Sequence, residues 1–193
     1  MANINIESIK EILQEYLSEK KVKHSLNVAQ TAQELAERFS VNKEDAYLAG
    51  LVHDIARDLD PQKLLKIARE NNLIQHPIEE KMPIVLHANV GAFIASSRLA
   101  ISKSSILQAV QKHTVAAPAM SKIDKIVYLA DVIEPDRSFQ GIEDLRQLAK
   151  NNLNEAFLKA LEGSITYLIS KRCLIHPYTI EARNNLIEGV VKS

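Results

Sequence analysis

The stretch Tyr47-Leu-Ala-Gly-Leu-Val-His-Asp-Ile-Ala-Arg57 decides the reading of this chain. It sets two polar, metal-competent side chains, His53 and Asp54, side by side in an otherwise apolar run. Burying an ionised carboxylate there is costly unless a cation or a strong hydrogen-bond network compensates it. An imidazole next to a carboxylate makes a good ligand pair for a divalent metal. The dipeptide alone is common. Its weight comes from matching residues at wide intervals: His24, His87, His113 and Asp131, each beside apolar helical sequence.

Outward from that stretch, nearly every segment has helical periodicity. Residues 4–17 place Ile6, Ile9, Leu13, Tyr16 and Leu17 on one face, and 24–39 continue with Leu26, Val28, Ala29, Ala32, Leu35, Ala36 and Phe39. A third helix opens at 41–45 and is expected to run through the His53-Asp54 pair. Asp60-Pro61 is a start signal, an N-cap followed by proline at the first helical position. That helix is expected to reach Asn71-Asn72. Two X-Pro pairs, His76-Pro77 and Met82-Pro83, mark 76–83 as a loop. Six further helices are expected at 86–99, 104–113, 121–133, 142–150, 153–170 and 179–190. No alternating strand pattern persists, so the fold class is all-α, a bundle of about eight to ten helices.

The 193 residues suit one domain, 1–193, with 46% hydrophobic and 25% charged content. The core of the candidate site spans roughly 20–135, and the helices of 140–190 are expected to complete it. A formal net charge of zero removes the usual electrostatic signature of a nucleic-acid binder. The single cysteine, Cys173, excludes an internal disulfide and fits a reducing compartment. The N-terminus carries Glu7 and Glu11 and lacks a secretory apolar run. The longest uncharged stretch, 82–97, is too short for a membrane span. These features imply a cytoplasmic protein without a membrane partner. Five glycines form no phosphate-cradling loop, so phosphates would be handled by metals and basic side chains.

Taken singly, the polar residues have ordinary structural uses. His24 reads as an exposed histidine, His53-Asp54 as a hydrogen-bonded core pair and His87 as a helix entrance. His113 suits a helix C-terminus, where imidazolium complements the dipole. Asp131 is the exception, because the 126–133 segment is apolar on both helical faces. The joint order His, His-Asp, His, His, Asp resembles the HD-domain metal-dependent phosphohydrolases. That resemblance implies His24, His53, Asp54 and Asp131 as primary metal ligands, with Asp54 as a natural bridge. It gives His87 and His113 to a second metal or to phosphate. Two histidines and two carboxylates accept iron, manganese, cobalt or zinc, and leave positions for water and substrate. A bound ion lowers the pKa of water towards roughly 7 and draws charge from a phosphoryl oxygen.

Further motifs narrow the resemblance. Glu134-Pro-Asp-Arg-Ser-Phe-Gln-Gly141 follows Tyr128-Leu-Ala-Asp131, and Leu174-Ile-His-Pro-Tyr-Thr179 precedes Glu181, Arg183 and Asn184. With Lys23-His-Ser-Leu26 and Leu86-His-Ala88, these are similar to the YqeK-type symmetrical bis(5'-nucleosyl)-tetraphosphatases. The resemblance implies an iron enzyme, with one ion or two, that cleaves diadenosine tetraphosphate in the middle to two ADP. Metal-bound hydroxide would attack a central phosphorus. It places Arg137, Lys21 and Thr114 on phosphate, with the backbone of Ile55 and Ala56 and the Arg57 side chain against the nucleotide. It also implies that Leu174, Ile175, His176, Pro177, Tyr178 and Thr179 line a nucleoside site. Arg57 stands where lysine is commoner in the family. Val115-Ala116 replaces the family's Thr-Gly, which restricts the backbone there.

Two other readings compete. One is an HD nucleotidase or deoxynucleotide triphosphohydrolase with another substrate, because fold does not fix substrate. The other is a nucleotide-binding module without turnover. The helix at 4–17 is expected either to complete the core or to form a homodimer contact.

Overall fold

The computed structural model describes residues 6–191, so the expected helix start at Ile4 lies outside the described residues. Among them are ten α-helices and no strand. They are α1 (Ile6–Tyr16), α2 (Glu19–Arg38), α3 (Lys43–Val52), α4 (Pro61–Glu70), α5 (His87–Arg98), α6 (Ser104–Lys112), α7 (Lys122–Ile133), α8 (Ile142–Asn151), α9 (Leu153–Ser170) and α10 (Pro177–Val191). The expected 76–83 loop is two 3₁₀ turns, Pro77–Lys81 and Pro83–Leu86, each opened by its proline. No described helix is long and apolar enough to cross a membrane.

Local chemistry accounts for the helix starts. Asn42 Oδ1 accepts from Asp45 N at 2.7 Å to open α3. Asp60 accepts from Gln62 N at 2.8 Å, with Pro61 at the first position of α4. Ser121 and Asp124 form a reciprocal capping box on α7. The helix ends are less ordinary. Ser40, Asn72, Ala100, Ala116 and Arg172, just past α2, α4, α5, α6 and α9, all have positive φ without being glycine. Glycine is the usual residue there because it lacks a Cβ that clashes. With so few glycines in the chain, sequence stop signals are weak.

At Ala116 this has a measurable consequence. Its φ of 61° lies in the left-handed region, which glycine adopts without strain. The left-handed region costs a non-glycine residue roughly 1–2 kcal/mol, partly offset by glycine's greater chain entropy. Ala116→Gly is expected to stabilise the protein by up to about 1 kcal/mol. Urea unfolding measures this, and a destabilised variant would refute the strain argument.

Two corrections concern the site. α3 ends at Val52, so His53 is its C-cap and residues 53–59 form turns, not the continuing helix expected from periodicity. α2 begins at Glu19, which puts His24 in its second turn instead of at its start. Ser18, just before α2, donates from its N and its Oγ to Asp58 Oδ2, each at 2.9 Å, and so ties α2 to those turns.

α2, α3, α6 and α7 pack on one another, and their apolar faces form the core beneath the site. α7 buries Ile126, Val127, Leu129, Ala130 and Ile133. Phe157 of α9 is fully buried and meets Tyr128 edge to face at 5.1 Å between centroids. α1 packs Ile9 and Leu13 into the core, which is the first of the two uses expected for it. A partly buried pair, Lys112 Nζ to Asp124 Oδ2 at 2.8 Å, fixes the end of α6 against the start of α7.

Candidate metal centre

Three of the central histidines share one local device. His53, His87 and His113 each follow a helical turn, and each Nδ1 donates to the carbonyl three residues back. These bonds run to Gly50 at 2.7 Å, Ile84 at 2.6 Å and Val110 at 2.7 Å. The fourth, His24, directs Nδ1 to Glu134 Oε1 at 3.2 Å. Committing Nδ1–H to an oxygen leaves Nε2 as the free lone pair, the arrangement of metal-ligating histidines.

The four Nε2 atoms converge on two carboxylates. His24 Nε2 lies 3.0 Å from Asp131 Oδ1, and His53 Nε2 lies 4.0 Å from the same oxygen. Asp54 turns Oδ2 towards His53 Nε2 at 3.8 Å and Lys21 Nζ at 3.6 Å. Its Oδ1 lies 3.2 Å from His87 Nε2 and 3.4 Å from His113 Nε2. Potential ligand atoms therefore form two overlapping groups, His24–His53–Asp131 and His53–Asp54–His113. The first three residues and Asp54 are the ligand set expected from sequence.

The donor chemistry fits a divalent cation. His53 is fully buried, and its Nε2 has no hydrogen-bond partner. The Nε2 of His24 is also buried and unpartnered by geometry. His87 Nε2 and His113 Nε2 face each other at 3.1 Å, a contact between lone pairs unless a positive charge lies between them. Thr114 Oγ1 lies 3.0 Å from both.

Electrostatics points the same way. Burial opposes the charge of Asp54, but His53, His113 and His87 hold its carboxyl well below the usual carboxylate range. Burial likewise opposes Asp131, and His24, His53 and Arg137 hold it low. Burial pushes His53 down to about 4 and also lowers His87. His24 and His113 are raised against burial, His24 by Asp131 and Glu134, His113 by Asp54 and Asp131. Ionised carboxylates beside a neutral His53 are the protonation states that metal ligation requires.

A polar cleft of about 230 Å³ opens onto this cluster. It is lined by Lys21, Arg57, Thr114, Tyr128, Val132 and Arg137 together with Asp54, His87, His113 and Asp131. Arg137 donates from Nη2 to Asp131 Oδ1 at 2.5 Å and from Nε to the Asp131 carbonyl at 2.9 Å. Ile55 and Ala56 are fully buried, so their side chains contribute to the core.

The 174–179 segment is not among the residues lining this cleft. It lies behind one wall, where Thr179 Oγ1 donates to the Val115 carbonyl at 2.8 Å. His176 is buried, with Nε2 3.4 Å from Glu79 Oε1 and its ring against His76 and Tyr178. His176 therefore packs its ring against two aromatic neighbours within the protein. Leu174 is exposed, and Ile175, Pro177 and Tyr178 are partly buried. Pro177 opens α10, seven residues beyond the end of α9.

Sequence reasoning assigned no role to three supporting residues. Glu134 is buried; besides His24 it accepts from Asn27 Nδ2 at 2.9 Å and from Asp136 N at 2.8 Å. A carboxylate just past a helix C-terminus opposes the dipole, and that was its legible signal. Asn27 lies three residues after His24, hence on the same helix face. Arg146 of α8 donates to the carbonyls of Ile133 at 2.9 Å, Glu134 at 2.8 Å and Arg137 at 3.1 Å. It thereby holds the loop that delivers Glu134 and Arg137, and periodicity carries no signal for such a clamp. Glu134→Gln keeps the shape but removes the charge that orients His24. Partners of this kind are worth about 10–100-fold, so Glu134→Gln is expected to lower metal affinity and activity by that range. Metal titration followed by dialysis reads this, and unchanged affinity would remove Glu134 from the site.

An all-α fold that gathers histidines and a His-Asp pair onto one buried cluster defines an HD-type hydrolase, and residues 22–136 match the HD domain family. The chain is 35% identical over 177 residues to the symmetrical bis(5'-nucleosyl)-tetraphosphatase of Halalkalibacterium halodurans, covering 92% of this chain and 94% of that one. It is 31% identical over 186 residues to the enzyme of the same name from Bacillus subtilis, covering 96% and 100%. A Clostridium acetobutylicum crystal structure, described as a "predicted HD superfamily hydrolase involved in NAD metabolism", superposes with a TM-score of 0.93 at 37% identity. That match covers 96% of this chain and 98% of the other. The chain belongs to the HD-domain hydrolases, in the family of the symmetrical bis(5'-nucleosyl)-tetraphosphatases.

Proposed function

We propose that this chain hydrolyses diadenosine tetraphosphate symmetrically to two ADP, with iron as its metal. The observation that carries the reading is a buried cluster of four imidazole Nε2 atoms and two carboxylates, rimmed by Lys21, Arg57 and Arg137. Anionic clusters of this kind hold cations, and a cationic rim suits polyphosphate. His24, His53 and Asp131 would hold one ion, and Asp54 with His87 and His113 a second, Asp54 facing both groups. When bound, the metal supplies an acidified water and neutralises charge on a phosphoryl oxygen.

The protein's own groups bind and orient. Arg137 spends two donors on Asp131 and keeps its others for phosphate oxygens. Lys21 and Arg57 face the same cleft and offset further phosphate charge. Thr114 Oγ1 lies 3.0 Å from Nε2 of both His87 and His113 and has one proton to donate to either. The exposed thiol of Cys173 agrees with a cytoplasmic location.

Product chromatography after incubating iron-loaded protein with diadenosine tetraphosphate tests the reading. ADP as sole product is expected. AMP with ATP would overturn symmetrical cleavage, and absence of product would overturn the activity. A panel of mononucleotides in the same assay decides against the competing nucleotidase reading.

A further inference from the structure

The cleft above the His/Asp cluster is small and polar. Its volume is about 230 Å³ and its walls are mostly charged or imidazole side chains. Pockets that hold drug-sized ligands run from about 300 to 1,000 Å³ and are mainly apolar. The cleft therefore suits phosphates and leaves the nucleosides to neighbouring surface. A second cavity of about 590 Å³ adjoins it, between the loop after α7, the start of α8 and the second half of α9. Val132 lines both spaces. Tyr128 links them too: it lines the cleft, and its hydroxyl donates at 3.1 Å to Ser164 Oγ, which lines the cavity.

The walls of this cavity have the character that a nucleoside needs. Phe139 and Tyr167 line it and remain 47% and 61% exposed. Large aromatics left in water beside a cavity are unusual for a core and usual for a binding site. Gln140 and Lys159 also line it, and their side chains make no hydrogen bond or ion pair among the described residues. Phe139 lies two residues beyond Arg137, so one loop reaches both the phosphate cleft and the cavity.

We propose that this cavity binds the aromatic base and ribose of one nucleoside half of the substrate. Phe139 and Tyr167 offer ring faces to the base, and Gln140 and Lys159 offer polar contacts to its edge and the ribose. The assignment rests on the reading of the chain as a dinucleoside polyphosphate hydrolase. It makes α9 part of substrate recognition, although α9 contributes no residue to the metal cluster.

Two variants test it in different ways. Tyr167→Ala removes an exposed ring. Gly163→Trp fills the space, since a Cβ at Gly163 meets nothing within 4 Å. Steady-state hydrolysis of diadenosine tetraphosphate by iron-loaded protein, with thermal melting as a folding check, gives the readout. Base–aromatic contacts of this kind typically change affinity about tenfold. KM is therefore expected to rise about tenfold in Tyr167→Ala and more in Gly163→Trp, with kcat nearly unchanged. Unchanged KM in folded Tyr167→Ala and Gly163→Trp, alongside wild-type turnover, would overturn the cavity assignment and leave the activity standing. If the wild type fails to turn over, the activity reading fails, and calorimetric binding of diadenosine tetraphosphate to metal-loaded protein decides the cavity alone. Weaker binding to the variants upholds it; equal binding, or none to wild type, overturns it.

Discussion

Asp131→Ala and Asp54→Asn are each expected to abolish hydrolysis, by well over about 100-fold, and to leave the purified protein depleted of metal. Asp131 Oδ1 stands 3.0 Å from His24 Nε2 and 4.0 Å from His53 Nε2. Removing it leaves two imidazoles without the anion they share. Asp54 is touched from more sides, by His53, His87, His113 and Lys21. The asparagine change keeps its shape and removes only the charge, so packing and electrostatics are separated. Buried like charges at functional sites are held at a cost in stability. Neither variant is expected to melt much below the wild type. Metal content per chain, circular dichroism and turnover together give the result. Full activity in either metal-depleted variant would sink the mechanism.

Gly50→Ala is expected to carry the largest stability loss, about 2–3 kcal/mol, by urea unfolding. A Cβ on Gly50 would lie 2.9 Å from Ala29 Cα and 3.0 Å from Ala29 N, with the Val28 carbonyl at 3.1 Å. All three are backbone atoms of α2, so no side chain can rotate away. α3 must then move off α2. The Gly50 carbonyl also accepts from His53 Nδ1, so displacement of α3 shifts His53 relative to His24 on α2. Activity should fall along with stability. Gly163→Ala is the contrast: the site is open, and alanine in a helix gains up to about 1 kcal/mol over glycine. Equal effects at the two glycines would refute the close-approach argument.

Periodicity found the ten helices, because a buried stripe repeats every turn and needs no knowledge of the partner face. Their ends were harder to read. α3 stops at Val52 although Ile55 and Ala56 continue the apolar pattern, since the turns after it are equally buried. Several helices end on serine, asparagine, alanine or arginine with positive φ, where glycine would have marked the boundary. Side-chain facing in 174–179 was not legible either. An imidazole in a sequence does not show whether it faces solvent, and His176 faces Glu79.

What the amino-acid sequence determined by itself was the helical class, the placement of His53-Asp54 in apolar surroundings and the inventory of histidines and carboxylates able to hold a metal. These follow from local spacing and from the cost of burying charge. The tertiary structure alone decided which nitrogen each histidine offers, that Asp54 faces two groups of ligands, and that Glu134 and Arg146 brace the site. It also set a polar cleft beside an apolar cavity on α9. Such features depend on side chains from distant helices meeting within a few ångströms, as Asn27 and Glu134 do across 107 residues. Helix packing sets that meeting, and no local pattern along the chain encodes it.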